Sequence, residues 1–378
     1  MAGAGESMTP LTDHLRRLIA ASGPLTVARY MAEALHHPSL GYWQRSAEAD
    51  AAIGANGDYV TAPEISQMFG EIIGLWCLDL WLRAGSPQPV KLPVKLIELG
   101  PGRGTLLRDV LRAARTVPTF RSALEIHLVE ASPTLRAEQT RALAAIPEAP
   151  PARWHDQLDS VPAGPALIIA NEFFDSLPVH QLIATADGWR ERLVTWDDAH
   201  NRLSFAQGLA PSPAALADRL SARPAPGAIS EVCPAGLALA AAIGARVKAD
   251  GIGALIIDYA RDPGDGATLQ AVRRRHRHEP LADPGDADLS ARVDFAAIAQ
   301  AARDAGAVVH GPIGQGAFLR ALGIEIRGQR LARQASPDQR QAITAALHRL
   351  TAADQMGTLF RVVALVGPDM PVPAGFPA

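Results

Sequence analysis

The sequence predicts an α/β fold with a Rossmann-like, doubly wound sheet, an N-terminal helical addition and an inserted subdomain. Val94 to Leu99, Leu124 to Glu130, Ala166 to Ala170 and Ile252 to Tyr259 are short apolar runs of the kind that form buried parallel strands. Thr105 to Arg115 and Pro133 to Leu143 separate the first of them and carry apolar residues at three- and four-residue intervals, which gives a β-α-β alternation.

Upstream of the sheet, Leu11, Leu15, Leu18 and Ile19 recur at helical spacing, and Val27, Tyr30, Met31, Ala34 and Leu35 do so beyond the Gly23-Pro24 break. Thr61-Ala62-Pro63-Glu64 has a capping-box form and leads into a helix with Ile65, Met68, Phe69, Ile72, Ile73 and Trp76 on one face. From about Val179 to Ile252 the alternation lapses. Trp189 to Trp196 and Arg202 to Phe205 read as a hairpin, followed by an Ala/Pro-rich helical segment. Gly306 to Gly316 adds a strand and loop, and Leu359 to Val366 an antiparallel edge strand. The expected division is a helical region over 11–90, a core over 91–188 and 252–366, an insertion over 189–251 and a flexible tail over 367–378. Residues 1 to 10 are expected to be loose as well.

A chain of 378 residues with 48% hydrophobic and 20% charged residues can bury a large core. Its net charge of -3 gives no general attraction to nucleic acid, so no nucleic-acid partner is expected. Cys77 and Cys233 are too few and too far apart for a disulfide framework or a zinc site, and fit a reducing compartment. The longest apolar run, Val232 to Ala245, is too short to span a bilayer. The N-terminus lacks a basic-then-apolar leader and carries Glu6 and Asp13, which reads as cytoplasmic. There is no H-E-x-x-H or G-x-S-x-G pattern, and no metal is expected. Arg273-Arg274-Arg275-His276-Arg277-His278 reads as a solvated face that could also contact an acidic partner or RNA.

The strongest local signal is Leu96-Ile97-Glu98-Leu99-Gly100-Pro101-Gly102-Arg103-Gly104, where a strand ends in a glycine turn and a helix begins. Glycines there let the backbone approach a ligand closely. Glu130 ends the next strand one β-α-β unit later, where an acidic side chain can accept both hydroxyls of a ribose. The turn is G-x-G-x-G with Glu98 two residues before it, which departs from the G-x-G-x-x-G dinucleotide fingerprint and disfavours a nicotinamide enzyme. It resembles motif I of class I methyltransferases. Trp154-His155-Asp156 is read as following a third strand and is similar in placement to the segment that flanks adenine in such enzymes, where Asp156 would accept a hydrogen bond from the exocyclic amine. Asn171-Glu172 directly follows the Ala166 to Ala170 run, read as the fourth strand, at the sheet edge where open α/β sheets bind ligands, so the pair needs a ligand or a capping role.

Four stretches taken together are more specific: Gly57 to Gly70, the glycine turn, Val129-Glu130-Ala131-Ser132-Pro133, and Asn171-Glu172-Phe173-Phe174-Asp175-Ser176-Leu177-Pro178. In this order, over about Leu11 to Val366, they resemble the MidA-like family of class I methyltransferases, which includes the mitochondrial complex I assembly methyltransferase. Asp258-Tyr259 and Gln270 to Phe295 look like further landmarks of that family. The resemblance implies S-adenosylmethionine as cofactor, held by Thr61, Pro63, Glu98, Gly100, Pro101, Gly102, Gly104, Glu130, Ala131, Ser132, Asp156, Asn171 and Glu172. It also implies methylation of a protein arginine, with a subunit of NADH:quinone oxidoreductase as partner. Glu172 and Asp175 are the catalytic candidates, carboxylates that would orient a guanidinium. A non-catalytic assembly factor that keeps the fold as a binding module stands as the competing reading.

Overall fold

The structure, a computed structural model, describes residues 9–45, 57–84, 93–213, 216, 220, 225–262 and 266–377. The first eight residues and much of the Ala/Pro-rich segment after the hairpin lie outside them. The chain forms two compact units. One comprises Val60–Phe174, Leu237–Ala260 and Val293–Ala378, and the other Met1–Tyr59, Asp175–Gly236 and Arg261–Arg292. This differs from the division expected above. The N-terminal helices Pro10–Ser22 and Val27–His36 share a core with Val179, Val194, Leu203 and Leu289, because their apolar faces (Leu11, Leu15, Tyr30, Met31, Leu35) are covered by the inserted strands.

The first unit is built on a seven-stranded sheet of β1 (Val94–Leu99), β2 (Leu124–Val129), β3 (Ala152–His155), β4 (Ala166–Asn171), β5 (Ile252–Tyr259), β6 (Val308–Gly314) and β7 (Phe360–Val366). Their order across the sheet is β6-β7-β5-β4-β1-β2-β3. β1 to β5 run parallel, and β7 is antiparallel to both of its neighbours. The expected strand at Leu359 to Val366 is therefore antiparallel but interior, and β6 forms the edge. The interior position suits its sequence, since Val362 to Val366 are all fully buried. Trp154 and His155 belong to β3 itself rather than following it. The tail is packed, not loose: Phe376 is 9% exposed and its ring centroid lies 5.4 Å from that of Phe318.

Helices α1 (Gln67–Ala84), α2 (Thr105–Ala114) and α3 (Pro133–Ala144) pack in this unit. The expected capping box at Thr61 does not form, and Thr61 makes no side-chain cap bond. The chain makes a four-residue turn of helix, Ala62–Ile65, breaks at an extended Ser66, and restarts as α1 with Ser66 Oγ accepting from the Met68 N–H at 3.2 Å. Met68, Phe69, Ile72, Ile73 and Trp76 then join the core with Leu107, Val110 and Leu111. The α1–α2 crossing is close because Gly70 and Gly74 present no side chain. A Cβ at Gly74 would meet Ala113 Cβ at 2.8 Å and the Val110 backbone at 3.0 Å.

In the second unit the hairpin Gly188–Asp197 with Arg202–Pro211 forms as expected, though longer, beside Leu25–Thr26, His180–Thr185 and Ile229–Val232. The basic run forms the tip of another hairpin. Arg274 and Arg275 take φ of 50° and 66°, Asp58 Oδ1 accepts the Arg274 N–H at 2.5 Å, and the side chains at 274 to 277 are exposed. Among the described residues no helix is long and apolar enough to cross a membrane.

Gly74→Leu tests the crossing. Overpacking should outweigh the roughly 1 kcal/mol of helix propensity gained, for a net loss of about 1–2 kcal/mol in urea unfolding. Unchanged or increased stability would mean that the helices do not depend on that approach.

Candidate functional site

The carboxyl ends of β1 to β5 share one edge. In register, Leu99 pairs with Val129 and Ala170, Val129 with His155, and Ile257 with Asn171. This aligns Gly100, Glu130, Asp156, Glu172 and Asp258 as the residues at or just past the strand ends. The chain winds outward in opposite directions from β1 and from β4, so the crevice at their ends is the topological switch point where such sheets bind ligands.

The glycine turn is a backbone cradle. Gly100, Gly102 and Gly104 take φ of 61°, 52° and 78°, a left-handed conformation that side chains resist. A Cβ at Gly100 would come within 2.6 Å of Phe173 Cδ2. Gly104 is the N-cap of α2 and gives it no side-chain cap, which leaves first-turn N–H groups facing the cradle. Pro101 is buried between them.

Buried acceptors surround the cradle. Glu98 is 4% exposed, no described side chain hydrogen-bonds or pairs with its carboxyl, and burial pushes it up to about 8. Asn171 faces the same side of the sheet by register, and its Oδ1 is buried without a hydrogen-bond partner among the described residues. Glu130 is half-buried, and burial raises its carboxyl above the ordinary range. Its Oε1 accepts the Ser132 N–H at 2.8 Å and its Oε2 a contact of 3.3 Å from Gln139 Nε2. Ala131 is exposed beside it, and the buried Ser132 caps α3 by accepting from Leu135 N–H. Arg136 donates to the Glu130 carbonyl at 2.6 Å and to Asp156 Oδ1 at 2.5 Å, tying exposed Asp156 to this corner.

Glu172 takes φ of 50°, a strained conformation for a residue with a side chain. Its N–H donates to the Ile257 carbonyl at 2.9 Å. Its Oε1 accepts the Ala62 N–H at 2.8 Å and Asn171 Nδ2 at 3.2 Å, so Glu172 supplies the helix cap that Thr61 does not. Burial raises it to about 7, with nearby Asp258 pushing the same way. Pro63 is buried in the capped turn, and Glu64 accepts from Thr105 Oγ1 at the start of α2. Asp175 is half-buried in the 3-10 turn Phe174–Ser176 and belongs to the second unit, where its carbonyl accepts from Ala291 N–H at 2.8 Å.

Sequence reasoning missed Gln139 and left Asp258 as a landmark without a role. Gln139 had a signal: it occupies the apolar stripe of α3 between Leu135 and Leu143. One further cluster is His14, Glu33 and His37, whose ligand-type atoms lie within 4.8 Å of one another. The Arg29 guanidinium pairs with Glu33 at 2.6 Å, and His37 Nδ1 accepts the Ser39 and Leu40 N–H groups, which leaves the ring proton on Nε2. That pattern describes a hydrogen-bonded helix end.

Because Glu98 and Glu172 are raised in the folded state, their contribution to stability is full below about pH 4.5 and is lost as the pH climbs through about 7 and 8. Glu98→Gln should flatten that decline in the melting temperature of the ligand-free protein. Superimposable pH profiles for wild type and variant would show that position 98 holds no buried ionisable carboxyl.

Residues 72–313 match the family model described as S-adenosyl-L-methionine-dependent methyltransferase. The protein arginine methyltransferase NDUFAF7 homolog, mitochondrial, of Drosophila melanogaster is 36% identical over 94% of this chain and 84% of its own length. Its counterpart from Xenopus tropicalis is 35% identical over 98% and 90%. A superfamily member from Burkholderia thailandensis, solved bound to S-adenosyl-homocysteine, matches with a TM-score of 0.80 and 28% identity over 97% of this chain and 93% of that one. The cytoplasmic expectation is overturned by relatives named as mitochondrial proteins. Two free cysteines fit any reducing compartment and could not single out one. With its fold, cofactor and nearly full-length relatives in agreement, the chain belongs to the S-adenosylmethionine-dependent methyltransferase family.

Proposed function

We propose that this methyltransferase acts on arginine of a protein, a subunit of NADH:quinone oxidoreductase, and that the β1–β4 edge holds its cofactor. The observation that carries the cofactor site is the set of acceptors left waiting around the glycine cradle: the Glu98 carboxyl and Asn171 Oδ1, both buried. A ligand with a cationic amino-acid end answers them, and Glu130, with both oxygens held from behind, suits a ribose diol. Thr61, Pro63, Pro101, Ala131, Ser132 and Asp156 shape the rim. The arginine acceptor is supported by the names of the relatives, and the complex I assembly role by the family resemblance.

When bound, S-adenosylmethionine supplies a methyl group on a sulfonium, open to in-line displacement by a nucleophile. The protein's part is to align donor and acceptor and to exclude water. A guanidinium is a poor nucleophile because its charge is delocalised and it stays protonated. A carboxylate that accepts its N–H groups fixes its plane and offsets the charge that grows as the methyl arrives. Glu172 is proposed for that task, with Asp175 three residues further along the chain. Its strained backbone and its bond to Ala62 hold the carboxyl in one place.

Gly102→Val should abolish S-adenosylmethionine binding in calorimetry while the fold persists, since a β-branched residue resists φ of 52° and fills the cradle. Glu130→Ala should weaken binding by about 1.5–3 kcal/mol. Unchanged affinity in both would remove this edge as the cofactor site. Glu172→Gln keeps an acceptor for Ala62 but no charge, so turnover should fall strongly with cofactor affinity spared. In the wild type turnover should rise as the pH passes about 7, and the variant should lose that limb. Labelled S-adenosylmethionine added to a lysate, followed by mass spectrometry, tests the acceptor. Label on lysine, glutamine or RNA would overturn it, and binding without any transfer would favour the assembly factor.

A further inference from the structure

Gln139 is fully buried on α3, at a position where its stripe neighbours Leu135 and Leu143 are apolar. A leucine would fill the same place. The orientation of its amide follows from chemistry: the Trp154 indole N–H can only donate, and it lies 2.8 Å from Gln139 Oε1. The amide NH2 therefore faces the other way. It donates to the Gly102 carbonyl at 2.8 Å and to Glu130 Oε2 at 3.3 Å, so both of its protons are used. Three parts of the chain that are distant in sequence meet at this one side chain: the glycine turn, the end of β2 and the tryptophan of β3. With Ser132 N–H on Oε1 and Gln139 on Oε2, both oxygens of Glu130 are steadied by protein donors.

We propose that Gln139, oriented by Trp154, is a positioning residue for the cofactor's ribose: it locks the Glu130 carboxylate to the Gly102 carbonyl so that diol and cradle are met in one fixed geometry. The inference rests on the assignment of Glu130 and Gly102 to the cofactor made above, and extends it to the residue that holds them. Loss of the amide frees the carboxylate to turn and deprives the part-buried Gly102 carbonyl and Trp154 indole N–H of this partner. A carboxylate at 139 would instead set two like charges against each other, relieved only when they share a proton.

The test is calorimetry with S-adenosylhomocysteine and its 2′-deoxyribose analogue on wild type, Glu130→Ala, Gln139→Met, Gln139→Glu and Trp154→Phe. Gln139→Met should weaken S-adenosylhomocysteine about tenfold and narrow the preference for ribose over deoxyribose. Gln139→Glu should bind progressively worse as the pH rises through the carboxylate range and recover as it falls, a dependence absent from the wild type. Trp154→Phe retains an aromatic core residue while freeing the amide, and should show a smaller loss with the same narrowing, which keeps the test open if a Gln139 variant fails to fold. A purely structural glutamine would lower melting temperatures and leave sugar preference and pH dependence as in the wild type, and that result would overturn the proposal. If Glu130→Ala loses affinity while the Gln139 variants do not, only the positioning role falls. If Glu130→Ala binds normally, the cofactor assignment falls and the positioning role with it.

Discussion

The carboxylate of Asp258 fixes the geometry on which the site depends. It is fully buried at the end of β5, its Oδ2 accepts the N–H groups of Phe173 and Phe174 at 3.0 and 2.8 Å, and its Oδ1 accepts that of Tyr259 at 2.8 Å. Amide donors of this kind compensate a buried charge well. With the segment after β4 pinned at two consecutive amides, Glu172 can be held at a φ it would otherwise leave. Three features meet at that one turn: the Glu172 carboxyl reaches Ala62, the Phe173 ring lies against Gly100, and the buried Asn171 Oδ1 has no hydrogen-bond partner among the described residues.

The electrostatics of the edge form a second constraint. Glu98, Glu130 and Glu172 are all pushed up, and in each burial is the leading cause. A carboxylate that burial has stripped of hydration gains more than a solvated one from a ligand that brings its own positive charge, because the ligand compensates what water no longer does. The same crevice is therefore costly when empty and favourable when filled by a cationic ligand. Local instability at a site is the usual accompaniment of binding there.

Much of this was legible in the sequence, because parallel strands buried on both faces leave continuous apolar runs and a glycine turn leaves three glycines. β1, β2, β4 and β5 and the helices Thr105–Ala114 and Pro133–Ala144 were placed within a residue or two for that reason, whereas β3, four residues long with Arg153 and His155 in it, leaves no such run. What the sequence concealed were relationships across distance. Thr61 carries the local signature of an N-cap, yet the cap comes from Glu172, 110 positions from the Ala62 N–H it accepts, which no local pattern could supply. Gln139 interrupts an apolar stripe, but a single polar residue in a stripe does not name its partners. The unit boundaries were hidden in the same way, since the faces of the first two helices reveal that they are covered and not by what. The interior place of β7 and the packing of Phe376 likewise depend on partners, not on composition.

The interior place of β7 also orders events in time. Asp258 stands on β5, and β5 is completed on one side by β4 and on the other by a strand made about a hundred residues later in synthesis. Until Phe360–Val366 has left the ribosome, β5 is an open edge whose unpaired amides and carbonyls invite the wrong neighbour. Assembly of the binding edge is thus a late step of folding, and a chain cut short before β7 carries every cofactor-contacting candidate and still presents an aggregation-prone strand in place of a finished site.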